Sequence, residues 1–305
     1  MNPEVYYSHG KLLLCGEYAV LDGAAAFALP TKKGQSLTVE KLSGQGSGLI
    51  QWQSLDDKGQ QWFSATLQLP YFVVLDSSDA SVSTRLVRFL ITAKSINPGF
   101  LEGHSDYKVL NKLEFALDEG LGSSSTLTNN IAQWAQINPF LLHFNAFKGS
   151  GFDVAVAKEG QPLMYTMNGT EPKIELIKWN MHFTDQLYFV HLNQKQNSRE
   201  QLLKYKHQIS AAQIAQISRI SRLMSINDDY FEFCLLLELA ENEISQVLGA
   251  PTIKQRLFND FHGTVKSLGA WGGDYILATG KDTKDYFMSK GYERIVPYKD
   301  MIKEA

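Results

Sequence analysis

The segment Glu119-Gly120-Leu121-Gly122-Ser123-Ser124-Ser125-Thr126 has the make-up of an anion cradle. Glycines let the backbone take positive φ and come close to a ligand, and small hydroxyl side chains add donors. A helix starting within the segment would turn its first-turn N–H groups and positive dipole end toward an anion. That arrangement suits a triphosphate, although an ordinary strand–helix connection with a serine cap uses the same residues. The loop lacks the GK[ST] ending of a Walker-type motif. Three more segments place polar groups beside glycines. Lys11 opens an apolar run through Cys15 that ends in Gly16-Glu17-Tyr18; a lysine at a solvated strand end and a glutamate in a turn would read the same way. Lys148-Gly149-Ser150-Gly151-Phe152-Asp153 sets a carboxylate just beyond a flexible turn, as a cap or as an acid–base group. The run from Lys266 to Tyr275, with Trp271, Gly272, Gly273 and Asp274, either lets backbone approach a ligand or makes a tight hairpin. Lys195, Ser198 and Arg199 flank a helix start, a place that favours anions and is equally served as a solvated helix end.

The elements that must carry these groups follow from periodicity. Gln35 to Glu40 alternates as a strand, and Gly44, Gly46, Gly48 and Gly59 punctuate neighbouring runs as turns. Val82, Leu86, Phe89, Leu90, Ala93 and Ile96 predict a helix over 81–96. Tyr107 to Leu117 has strand spacing, with Asn111 interrupting its apolar face. Leu127, Ile131 and Trp134 mark a helix after the glycine loop, Pro139 breaks it, and Phe140 to Phe147 reads as a further short helix. Leu163–Tyr165, Ile174–Ile177 and Leu187–Leu192 read as strands. Helices follow near 199–209, 211–225 and 230–248, the first and last with capping-box spacings at Ser198…Gln201 and Asp229…Glu232. The run Phe231 to Leu239 reads as core helix, and Tyr275–Thr279 as a last strand. The class is α+β.

With 305 residues, 44% apolar and 20% charged, the chain can bury a large core, which excludes intrinsic disorder. Single cores stop growing at roughly 250–300 residues, so two domains are expected, 1–170 and 171–305. A net charge of −3 without a long basic tract argues against nucleic acid or a membrane surface as partner and leaves a small acidic molecule open. Cys15 and Cys234 sit in apolar stretches with no CxxC pair, so they read as core residues and not as zinc ligands. No basic-then-apolar leader opens the chain, and no apolar run approaches the roughly 18 residues of a membrane span, which makes cytoplasm the expected address.

Taken in order, the glycine-rich segments resemble the motifs of the GHMP kinases, the family of galactokinase, homoserine kinase, mevalonate kinase and phosphomevalonate kinase. GKLLLCGEYAVLDG is similar to its first motif, EGLGSSSTL to its phosphate loop, GSGFDVA to the segment with its catalytic aspartate, and SLGAWGGDYILA to its third motif. GEYAV and Gly-Gly-Asp at 272–274 lean toward phosphomevalonate kinase, and GSGFDVA also resembles a bacterial subgroup with a GYDIA-like signature. The resemblance implies two α+β lobes with the active site in the cleft between them, and a monomer or homodimer using ATP and Mg²⁺. It implies Asp153 as base and Lys11 as its charge partner. Gly120, Leu121, Gly122, Ser123, Ser124 and Ser125 would hold ATP, with Ser124 on the metal. Glu17, Tyr18, Lys195, Ser198, Arg199, Gly272 and Gly273 would contact a small acidic acceptor. Phosphomevalonate is the expected acceptor, mevalonate or another sugar or acid the alternative. A catalytically silent, metabolite-binding relative is the alternative of another class. The chain departs from the family pattern at Trp271, where a small residue is usual, at Asp118 and Glu119, where a proline is usual, and at Leu142 and His143, where mevalonate kinases place a metal-binding glutamate.

Overall fold

A computed structural model describes residues 2–43, 46–169, 171–193, 209–269, 271 and 273–304. The chain divides into two compact units, one of Met1–Gly10, Lys33–Leu117 and Gly122–Lys158, the other of Lys11–Lys32, Asp118–Leu121 and Glu159–Ala305. The sequence suggests consecutive domains, 1–170 and 171–305; these units interleave, because β1 (Glu4–Cys15) and β2 (Ala26–Lys41) each divide between them.

In the first unit β5 (Val73–Ser77), β4 (Gln61–Gln68), β3 (Leu49–Leu55), β6 (Tyr107–Leu113) and β2 pair in that order. β3 and β6 are parallel, and the other neighbours antiparallel. Strand alternation makes a one-faced sheet: in β3, Ile50, Trp52 and Ser54 are buried while Gln51 and Gln53 are exposed. Against the apolar face pack α1 (Ala80–Ile96), α2 (Ser123–Trp134) and α3 (Pro139–Ala146). Leu86, Phe89, Leu90, Ile131 and Leu142 there meet Leu37, Ile50, Phe63 and Leu67 in one core. Each such buried side chain contributes about 1.5–3 kcal/mol. A short helix, α4 (Phe152–Glu159), closes the unit.

The second unit pairs the start of β2 with β7 (Leu163–Thr166), and β7 with β8 (Lys173–Leu176). It also holds an antiparallel sheet of β10 (Val265–Leu268), β11 (Tyr275–Thr279), β9 (Leu187–His191) and β12 (Ile295–Pro297), in that order. All five residues of β11 are buried, which suits its continuous apolar run. α5 (Ala211–Ile226) opens on a capping box of Ser210 and Gln213, and α6 (Tyr230–Leu248) on Asp229, whose carboxylate accepts from the Glu232 amide. α7 (Ile253–Leu257), α8 (Thr283–Ser289) and α9 (Tyr298–Met301) complete the unit. The helix expected near 199–209, with its Ser198…Gln201 cap, lies outside the described residues. Only one face of the Phe231–Leu239 run is core. Phe233, Leu236 and Leu237 are buried, while Phe231, Leu235 and Leu239, spaced four apart on the opposite face, are 79%, 56% and 39% exposed. Among the described residues, no helix is long and apolar enough to cross a membrane.

Candidate active site

The glycine loop is built as its composition requires. Gly120 takes φ 64° and Gly122 φ 95°, values at which a side chain is strained. α1, α3, α5, α6 and α7 open on Asp79, Asn138, Ser210, Asp229 and Thr252, each accepting from its own first turn. α2 opens on Gly122 with no side-chain cap, as α8 and α9 also open without one. Its first intrahelical bond runs from the Thr126 amide to the Gly122 carbonyl (3.0 Å), so the amides of Ser123, Ser124 and Ser125 precede any partner within the helix. Ser125 is buried and its hydroxyl donates to the Gly122 carbonyl (2.8 Å); Ser124 is exposed.

What fixes α2 is polar. Thr126, Thr128, Asn129 and Asn130 are all buried along it. Asn129 Nδ2 donates to Ser8 Oγ (2.9 Å) and to the Ala157 carbonyl of α4 (3.1 Å). Ser8 Oγ donates to Asn130 Oδ1 (2.7 Å), and Asn130 Nδ2 to the Gln35 carbonyl (2.9 Å). Thr126 Oγ1 donates to Gln35 Oε1, and Gln35 Nε2 to Asn111 Oδ1 (2.6 Å). Asn111, which breaks the apolar spacing of its strand, is thus a buried member of this network. Periodicity does not reveal the network; its one signal is a pair of asparagines, poor helix formers, in mid-helix.

Asp153 is partly buried in the first turn of α4, where its Oδ1 accepts from the Val154 amide (3.0 Å). Gly151 before it takes φ 80°. α4 is therefore tied to α2 through Asn129, so the loop helix and the aspartate's helix form one hydrogen-bonded block. Leu142 belongs to the apolar core. His143 beside it is buried, and its Nε2 would lie 3.4 Å from a Cβ placed on Gly149.

The second unit assembles the other motifs. Lys11 donates from its backbone amide to the Leu121 carbonyl (2.9 Å) and from Nζ to the Gly120 carbonyl (2.8 Å), which brings the first motif to the stem of the glycine loop. Asp274 stands against the same stem, with Oδ2 only 1.8 Å from where a Gly120 Cβ would be. Glu17 and Tyr18, expected to contact the acceptor, are 4% and 8% exposed. Glu17 is ion-paired with the fully buried Lys266, and the Tyr18 hydroxyl accepts from the Trp271 amide (2.7 Å), so both are committed inside the unit. Burial pulls the Lys266 ammonium down, but Glu17 and Glu241 together carry it above the ordinary lysine value. Lys266 is committed to this pair. The bulk of Trp271 is buried as well, and Gly273 is buried beside it. Lys195, Ser198, Arg199 and Gly272 lie outside the described residues.

No group of three or more His, Cys, Asp or Glu able to hold a metal occurs among the described residues. Magnesium that arrives on a nucleotide is held mostly by phosphate oxygens and water and asks little of the protein. The exposed Ser124 hydroxyl, one residue past the start of an uncapped helix, fits that role.

By sequence, the chain matches no protein-family model and no curated protein. By structure it is similar to a mevalonate kinase, at 12% identity over 99% of this chain and 100% of that one, with TM-score 0.70. It is similar to the Streptococcus pneumoniae phosphomevalonate kinase in complex with phosphomevalonate and AMPPNP, at 14% identity over 94% and 95% of the two chains, with TM-score 0.68. A D-glycero-D-manno-heptose 1-phosphate kinase from Bacteroides thetaiotaomicron matches at 12% identity over 100% and 97%, with TM-score 0.67. These matches cover 94–100% of this chain, and the chain has the fold of the GHMP kinases.

Proposed function

We propose that the protein is a cytoplasmic, ATP-dependent phosphotransferase that acts on a small acidic metabolite, with phosphomevalonate as the preferred acceptor. The observation that carries the reading is the uncapped start of α2 behind Gly120 and Gly122, in a chain of this fold. Phosphoryl transfer needs positioning and charge neutralisation more than covalent chemistry. The Ser123, Ser124 and Ser125 amides and the helix dipole supply fixed donors for phosphate oxygens. Lys11 brings its charge to the loop stem. Asp153 would orient the attacking oxygen of the acceptor, a phosphate oxygen in phosphomevalonate, and take any proton it carries as that oxygen bonds to the γ-phosphorus and the bond to ADP breaks. Magnesium carried by the nucleotide would sit against Ser124 and neutralise phosphate charge.

The choice of acceptor rests on GEYAV and the Gly-Gly-Asp run, and on the similarity to a phosphomevalonate kinase. With Lys266 buried, the cations left for an acceptor phosphate are the exposed Lys148 and the segment carrying Lys195 and Arg199. Calorimetry with a non-hydrolysable ATP analogue tests the nucleotide part. Magnesium-dependent binding is expected, and Gly122→Val should weaken it at least tenfold by straining a φ of 95°. Absence of binding at any magnesium concentration would refute the reading.

A further inference from the structure

Asp118 and Glu119 put two carboxylates immediately before a loop expected to face phosphates, a repulsive placement unless both are engaged elsewhere. They are. Arg294 donates from Nη1 and Nη2 to Asp118 Oδ1 and Oδ2 (3.3 and 3.1 Å), and the Tyr275 hydroxyl donates to Glu119 Oε1 (2.9 Å). His191 Nε2 lies 3.3 Å from the Asp118 carbonyl.

These three side chains meet the stem because the sheet sets them side by side. His191 ends β9 and pairs with Tyr275 at the start of β11. The Arg294 carbonyl, just before β12, accepts from the His191 amide (2.9 Å). Three neighbouring strand ends of one antiparallel sheet thus present donors to two consecutive residues. Tyr275 and His191 are 2% and 1% exposed, so the contact to Glu119 starts from a rigid base. Arg294 and Asp118 are half exposed, but their two parallel bonds give the pair a defined geometry. Asp274 fills the remaining space against Gly120. Leu121 is the last stem residue in the second unit, and Gly122 begins the next stretch of the first.

We propose that Arg294 and Tyr275 are positioning residues for the nucleotide loop: by holding Asp118 and Glu119 they fix the stem from which Gly120 and Gly122 present their backbone to phosphate. The proposal rests on the phosphotransferase reading of that loop. In place of the family's proline, which stiffens backbone by its ring, this chain uses two acidic residues clamped from a sheet.

The test compares full-length Arg294→Gln, Arg294→Lys, Tyr275→Phe and the Arg294→Gln/Tyr275→Phe double variant with the unsubstituted protein. Hydrogen exchange without nucleotide should quicken about three- to tenfold at the amides of 118–123, and nowhere else, in Arg294→Gln and Tyr275→Phe. The ATP KM should rise by a similar factor, and further in the double variant, while kcat and the acceptor KM stay within about twofold. Arg294→Lys should recover part of the loss, keeping the charge without the two-point contact. Exchange and ATP KM unchanged in a protein that binds nucleotide would overturn the positioning proposal alone. Faster exchange spread over the whole second unit would overturn it too, by showing a role in stability. If the unsubstituted protein binds no adenine nucleotide, the phosphotransferase reading fails and takes the proposal with it.

Discussion

At the scale of single residues, the chemistry turns on groups whose surroundings differ sharply. Asp153, the proposed acid–base group, is partly buried, and its Oδ1 accepts from the Val154 amide. Asp153→Asn keeps shape and removes the proton acceptor. It should lower kcat by about 10²–10⁴ and leave nucleotide affinity within a few-fold, measured by ADP release and calorimetry. Lys266 and Glu17 are the opposite case, a pair sealed in the core. Lys266→Met would leave Glu17 buried without its counter-charge, at a cost of about 3–5 kcal/mol in denaturant unfolding. Burial pushes the Glu17 carboxyl up while Lys266 opposes that rise, so removing Lys266 lifts it further. An acid whose folded pKa exceeds its unfolded one loses stability as pH rises from its unfolded to its folded value. The deficit of Lys266→Met should therefore be larger at about pH 8 than at about pH 4. An equal deficit at both would mean that packing, not charge, explains the loss. Asp153 stands out in the sequence as a candidate because a glycine turn isolates it. The Lys266–Glu17 pair does not, since the two residues lie far apart in the chain and each alone reads as a surface charge.

At the scale of elements, the legible parts were those with their own punctuation. Tyr230–Leu248 and Tyr275–Thr279 keep the bounds read from the sequence, the first because Asp229 caps it, the second because its apolar run is continuous. β10 was reached only through the hairpin alternative for Lys266–Tyr275, because Val265–Leu268 carries a lysine and a serine, both buried by partners that no local pattern announces. α4 was missed because it is short and starts directly after Gly151. α2 was expected, but the apolar stripe of Leu127, Ile131 and Trp134 tells only part of how it is held. Its other attachment is the Asn129 amide, shared between Ser8 and the α4 carbonyl of Ala157. Asn129→Ala should cost about 1–3 kcal/mol, because a buried carbonyl loses its donor. By loosening α4 from α2 it should also lower kcat more than its stability loss alone accounts for, read at a temperature where the variant is fully folded. A variant as active per folded molecule as the parent would show that α4 needs no such tie.

At the scale of the whole molecule, the candidate residues fall in two interleaved units. The first carries the α2 start and Asp153; the second carries Lys11, the loop stem and the third motif. The class and the order of motifs were legible because each motif is a glycine cluster that only a few backbone geometries use. The interleaving was not, because it depends on β1 and β2 continuing through points where the sequence shows no break. Nor is the acceptor written in any described side chain, since the cations proposed for it lie mostly at 195–199, outside the described residues. The most direct test is ADP release from Mg-ATP measured against mevalonate, phosphomevalonate, homoserine and hexoses, with Asp153→Asn run in parallel. Acceptor-dependent release is expected, highest in kcat/KM with phosphomevalonate and lost in Asp153→Asn. Release with mevalonate exceeding that with phosphomevalonate would overturn the acceptor assignment, and release that ignores both the acceptor and Asp153 would contradict the phosphotransferase itself.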